Sequence, residues 1–106
     1  MRVLFDQGTP VALRDSIQHH EVSTAFERGW SELNNGELLD TAEREGFAVF
    51  VTTDTKFKLQ QNLAGRRIAI VALPTTSWPR IERATAEIVK AITAATPGSY
   101  TEVSIP

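Results

Sequence analysis

The chain has 106 residues and 11.7 kDa, with 42% hydrophobic and 23% charged residues, a mixture that suits one globular domain over residues 1–106 and excludes a disordered chain. It contains no cysteine, so a disulfide framework and a thiolate metal site are both excluded, and a cytoplasmic location is expected. A net charge of -2 and a pI of 5.6 argue against broad electrostatic adhesion to nucleic acid, while leaving room for a local basic strip.

The chain opens on the strand-like run Arg2-Val3-Leu4-Phe5, without the basic flank and apolar segment of a secretory signal, and no run approaches membrane-spanning length. Neither secretion nor a membrane partner is therefore expected. The break Asp6-Gln7-Gly8-Thr9-Pro10 carries strand-end and helix-start signals: Thr9 suits a cap and Pro10 a first helical turn, which predicts a helix from about 10 to 17. Glu21 to Ala25 alternates weakly and reads as a second strand near an edge.

Asn35 stands where a cap is needed before Gly36-Glu37-Leu38-Leu39-Asp40-Thr41-Ala42-Glu43-Arg44-Glu45, whose Leu38, Leu39 and Ala42 share one face, and Gly46 is placed to end that helix in a left-handed conformation. Ala48 to Thr52 is a solid apolar, β-branched and aromatic run, as expected of a strand covered on both faces. Lys56 to Leu63 reads as a turn or two of helix closing at Gly65. Ile68 to Leu73 is another buried strand, stopped by Pro74. Ser77 then caps a long helix with Pro79 in its first turn and an apolar face of Ile81, Ala84, Ile88, Ala91 or Ile92, and Ala95. Pro97-Gly98 ends that helix, and Tyr100 to Ile105 alternates like a final edge strand.

Strands alternating with helices predict an α/β three-layer sandwich on a mainly parallel sheet of four or five strands, with the economical order 2-1-3-4 and the last strand at an edge. In that order the winding reverses between strands 1 and 3, where ligands of open α/β sheets bind outside the carboxyl ends. Asp6 and Asp54 end those two strands. Neighbouring carboxylates repel and call for a counter-charge, which a hard divalent cation supplies through oxygen ligands, waters and substrate phosphate. Glu37, in the first turn of its helix, is the natural third acid. The same residues also serve as turn and helix caps, so spacing alone leaves both readings open.

Beside them, Lys56, Lys58, Arg66 and Arg67, interleaved with Gln60, Gln61 and Asn62, fit either a phosphate-contacting strip or a solvated face. His19-His20 reads as surface or turn, and Phe26 and Trp30 as packing rather than base-stacking aromatics. No glycine-framed nucleophile or glycine-rich phosphate loop is present.

Over about residues 1 to 73 the sequence resembles the compact PIN-like family of short bacterial proteins, related to the PIN-domain ribonucleases that include toxins of type II toxin-antitoxin pairs. The resemblance is carried by Val3 to Pro10, His20 to Thr24, Gly29-Trp30, Asn35 to Leu39, Thr52-Thr53-Asp54, Gln60 to Leu63, and Arg67 to Ile70. It implies a PIN-like sheet, Mg2+- or Mn2+-dependent cleavage of RNA, and an acidic catalytic and metal-binding cluster of Asp6, Glu37 and Asp54. Lys56, Lys58 and Arg67 would contact substrate, and an antitoxin protein is an implied partner. Gln7 stands where the family often has Glu, Lys56 where it often has a second acid, and a fourth acid has no counterpart. Those departures keep a second expectation open, a catalytically inactive module that binds RNA or protein. A homodimer is the expected assembly of so small a domain.

Overall fold

The computed structural model describes residues 1–56, 63 and 65–106. Five strands, β1 (Arg2–Phe5), β2 (Glu21–Thr24), β3 (Val49–Thr52), β4 (Ala69–Ala72) and β5 (Tyr100–Glu102), form one sheet in the order β2-β1-β3-β4-β5. Every pairing is parallel, with Val3 opposite both Val22 and Val49, Phe50 opposite Ile70, and Ile70 opposite Tyr100. The expected order holds, and the fifth strand joins at the β4 edge.

Alternation along the strands assigns the two layers. Leu4, Phe50, Ile68 and Ile70 point to one face, where helix α1 (Asn35–Arg44) covers them with Leu38, Leu39 and Ala42, helped by Ala25 and Phe47. Val3, Phe5, Val51, Val71 and Leu73 point to the other, under a 3-10 helix (Val11–Ser16) and helices α2 (Trp78–Arg83) and α3 (Thr85–Ala94), which contribute Leu13, Ile17, Ile81, Ile88 and Ile92. Truncating a fully buried residue such as Leu39 to Ala is expected to cost about 2–5 kcal/mol. Among the described residues, no helix is long and apolar enough to cross a membrane.

Three local expectations are corrected. The first helix is 3-10, not α, and Pro10 occupies its cap position, because the Thr9 hydroxyl turns toward Asp6 and the Val51 carbonyl instead of the helix. The cap of α1 is Asn34, one residue earlier than expected. Its side chain accepts from the Glu37 N–H at 2.9 Å, and the Glu37 carboxylate in turn accepts from the Asn34 N–H at 3.3 Å.

The long helix after Ser77 is two helices parted at Ala84, where the Thr85 hydroxyl donates to the Glu82 carbonyl at 2.7 Å and competes with helical continuation. The apolar face Ile81, Ala84, Ile88 and Ile92 is buried as expected despite that break. Gly46 is left-handed with φ 86. The helical turn expected over Lys56 to Leu63 falls largely on residues 57–62, outside the described residues.

Candidate functional site

Because all strands run parallel, the segments after β1 and β3 emerge side by side at one rim. Strand alternation continues into them: Asp6 follows Leu4, and Thr52 and Asp54 follow Phe50, so all three occupy the α1 side of the sheet. The Asp6 N–H still donates to the Val51 carbonyl at 3.0 Å, which extends the β1–β3 ladder one step and fixes where the carboxylate begins.

Asp6 is held from three directions. Its Oδ1 accepts from the Gly8 N–H at 3.2 Å and lies 2.8 Å from the Thr9 hydroxyl. That hydroxyl also lies 3.1 Å from the Val51 carbonyl, and its single proton serves one of the two acceptors at a time. Oδ2 accepts from the hydroxyl of Thr52, a residue with no exposed surface. The Thr52 oxygen accepts in turn from the Asp54 N–H at 3.0 Å, so one buried hydroxyl links both strand-ending acids. Gly8 makes a close approach: a Cβ there would stand 2.5 Å from the Thr53 hydroxyl oxygen, so a side chain at this position requires the Thr53 hydroxyl to move.

Asp54 begins the next turn, and its Oδ1 accepts from the Lys56 N–H at 2.9 Å. From β5, the Tyr100 hydroxyl donates to the Thr55 carbonyl at 3.2 Å and ties this turn to the far side of the sheet. Burial first, and then the negative charges of Glu102 and Asp54, push the Tyr100 phenol above its ordinary value.

Of the three expected acids, Asp6 and Asp54 are joined through Thr52, while Glu37 is exposed and engaged in the capping box of α1. Among the described residues no group of three His, Cys, Asp or Glu side chains is placed to hold a metal ion. The carboxylates of Asp6 and Asp54 nevertheless keep acceptor capacity. About four lone-pair sites are available on a carboxylate; among the described residues Asp54 accepts from one protein donor and Asp6 from two, with the Thr9 hydroxyl shared between Asp6 and the Val51 carbonyl. That donor set fits a hydrated hard cation held through one or two carboxylates, not a closed protein cage.

Asp6 also divides two clefts. On the α1 side, one of about 220 Å³ runs from Asp6, Gln7 and Gly8 to Trp30, Ser31 and Asn35. The Ser31 hydroxyl oxygen is buried in its wall without a hydrogen-bond partner. On the other side, one of about 420 Å³ lies between the 3-10 helix and the turn after β2, lined by Val11 and Phe26.

Lys56 and Arg67 are exposed, whereas Lys58 lies outside the described residues. Arg66 belongs to the fold: it pairs with Asp40 at 2.8 Å and Glu43 at 3.4 Å on α1. Burial works against its charge, but those two partners outweigh it and hold the guanidinium above its ordinary value. His19 and His20 lie in the turn before β2, at the rim opposite Asp6. Trp30 packs edge-on to Phe47 at 6.0 Å between ring centres, as expected. Phe26 does not pack: it is 73% exposed.

Sequence reasoning overlooked Thr52 as the link between the acids. A threonine inside an otherwise apolar buried run was the available signal, because a hydroxyl buried there needs a partner. No family model, curated protein or solved structure matches the chain.

Proposed function

We propose that the chain is a metal-dependent, PIN-like nuclease that hydrolyses RNA phosphodiester bonds, with Asp6 and Asp54 holding a hydrated Mg2+ or Mn2+. The observation that carries this reading is that Thr52 joins the Asp6 carboxylate to the backbone N–H of Asp54, which brings the two strand-ending acids of β1 and β3 to one rim at the winding switch of the sheet. Among the described residues the ion pairs lie elsewhere, on Arg2, Arg14, Arg28 and Arg66, and neither rim acid has a cationic partner. When bound, the ion supplies polarisation of a phosphoryl oxygen and a water of lowered pKa.

The chain's own residues provide position. Gly8, Thr9 and Thr52 fix the Asp6 carboxylate before any ligand arrives, which removes an ordering cost from binding. Lys56, close in sequence to Asp54, and Arg67 supply exposed positive charge for phosphate, and Lys58 belongs to the same basic segment of the sequence. Glu37 keeps its helix capped.

The test is cleavage of a single-stranded RNA 20-mer by purified protein with Mn2+, with Mg2+ and with chelator. Cleavage should require the ion and should fall by more than about 100-fold in Asp6→Asn and in Asp54→Asn, since loss of even an outer-shell partner costs about 10- to 100-fold. Cleavage that ignores both substitutions would sink the assignment. In the toxin version of this reading, expression arrests growth through RNA cleavage and Asp6→Asn relieves the arrest.

One observation favours a second reading, a catalytically inactive RNA- or protein-binding module: Glu37 is engaged by its own helix cap, while Gln7 and Lys56 supply no further acid. On that reading binding survives Asp54→Ala and chelation, and a strict metal requirement counts against it.

A further inference from the structure

Three large hydrophobic side chains are exposed among the described residues, and two of them, Val11 at 60% and Phe26 at 73%, line the same cleft beside Asp6. Leaving an aromatic ring in water forgoes the burial that nearly every other large apolar side chain among the described residues obtains. The backbone under that ring is fixed. The Thr24 hydroxyl accepts from the Glu27 N–H and the Glu27 carboxylate from the Thr24 N–H, each at 3.0 Å, so the turn carrying Phe26 is clamped reciprocally. Gly29, with φ 78, closes the turn by donating to the Phe26 carbonyl at 3.0 Å, and Trp30 donates to the Ala25 carbonyl at 2.8 Å.

The opposite wall is the 3-10 helix bearing Val11, and its Arg14 pairs with Glu27 at 2.5 Å. One ion pair therefore fastens the two walls of the cleft at a set spacing. A volume of about 420 Å³ falls within the range of about 300–1,000 Å³ usual for small-ligand sites.

The chemistry of the walls selects an occupant. Phe26 and Val11 offer apolar faces, while the charged groups around them are two acceptors, the carboxylates of Asp6 and Glu27, beside a Gln7 amide that can accept or donate. A flat, neutral ring with N–H donors on its edge matches that arrangement, whereas an anion or an aliphatic chain does not. We propose that this cleft is a nucleobase subsite for single-stranded RNA, in which the base stacks on Phe26 against Val11 and its amino edge faces the acceptors. The inference rests on the ribonuclease reading for its choice of polymer and adds the recognition of a base next to the bond under attack.

The test separates the two. Binding of a 5′-fluorescein-labelled single-stranded RNA 12-mer of mixed sequence is measured by anisotropy in chelator, where cleavage plays no part, and cleavage is measured separately with Mn2+. Phe26→Ala should raise the Kd by about 5- to 100-fold, the loss seen when one base-stacking aromatic is removed, and Phe26→Trp should restore it. Equal affinity of Phe26→Ala and the parent chain, or no binding by the parent chain, overturns the subsite whatever the cleavage assay gives. Retained Phe26-dependent binding without metal-dependent cleavage overturns the nuclease reading and leaves the subsite standing. If Phe26→Ala instead turns a dimer into a monomer on sedimentation with RNA affinity unchanged, the cleft belongs to a second copy of the chain and the subsite is wrong.

Discussion

Thr52→Val replaces a buried hydroxyl by a methyl group of similar size and so isolates the link between Asp6 and Asp54. The lost bond to the Asp6 carboxylate is charge-assisted, worth about 1.5–3 kcal/mol, and the lost acceptor of the Asp54 N–H is worth about 1 kcal/mol. Asp54 is only half-buried, so water recovers part of the second term, and the net loss should be about 2–3 kcal/mol. For a domain of this size that lowers the Tm by about 10–20 °C.

Thr52→Ser is the control. It keeps the hydroxyl and removes one buried methyl, for about 1 kcal/mol. Urea denaturation of the three proteins at pH 7 should rank them parent, Thr52→Ser, Thr52→Val. A Thr52→Val protein within about 0.5 kcal/mol of the parent, or a Thr52→Ser protein as weak as Thr52→Val, would refute the argument, because surface-like costs of that size need no bridging hydroxyl.

Gly8→Ala places a Cβ 2.5 Å from the Thr53 hydroxyl and should cost about 1–3 kcal/mol in thermal or urea unfolding, with Thr53→Ala in the same chain recovering most of it as a non-additive pair. Asn34→Ala should destabilise by about 1 kcal/mol through loss of the cap, whereas Glu37→Gln keeps an acceptor at that position and should leave both stability and cleavage near the parent's; a cleavage loss like that of Asp6→Asn would make Glu37 a third ligand. The Glu27 carboxyl is held below its ordinary value of 4.5, first by the hydrogen bond from Arg14 and then by the Thr24 N–H. Its contribution is therefore fully present above pH 4.5 and is lost as pH falls through the lowered folded value, so the Tm difference between the parent and Glu27→Gln should shrink as a pH series descends below 4.5.

Much of this fold was legible because its central strands are buried on both faces. Val49-Phe50-Val51-Thr52 and Ala69-Ile70-Val71-Ala72 carry no solvent-facing alternation, and such runs, separated by helices, admit little besides a parallel sheet. The order followed from short right-handed crossovers, and with it the shared rim of Asp6 and Asp54. What escaped sequence reasoning turns on which of several possible side-chain hydrogen bonds forms. Asn34 and Asn35 are both good caps, and the signal passed over was local: Glu37 stands three residues after Asn34, the spacing of a capping box, whereas Leu38 stands three after Asn35. Thr85 breaks a helix only because its hydroxyl turns back onto the preceding helix. Phe26 reads like any core aromatic, and its exposure is set by the Thr24–Glu27 clamp and by an ion pair to a residue 13 positions away.

That separation of roles predicts how the two halves of the site fail. Thr52 acts on the Asp6 carboxylate and on the backbone of Asp54, the two residues that would hold the ion where charge develops in the transition state, so weakening it should lower kcat. Phe26 stands across the Asp6 ridge on a different wall, and a base stacked there is bound alike before and during attack on phosphorus. Interactions of that kind are uniform binding: their loss raises KM and leaves kcat unchanged. Steady-state cleavage of an RNA 12-mer with Mn2+ should therefore show Phe26→Ala with elevated KM and a parental kcat, and Thr52→Ser close to the parent in both. A fall in kcat for Phe26→Ala with KM untouched would mean that the ring positions the scissile phosphate itself, and that the cleft beside Val11 receives the backbone and not a base.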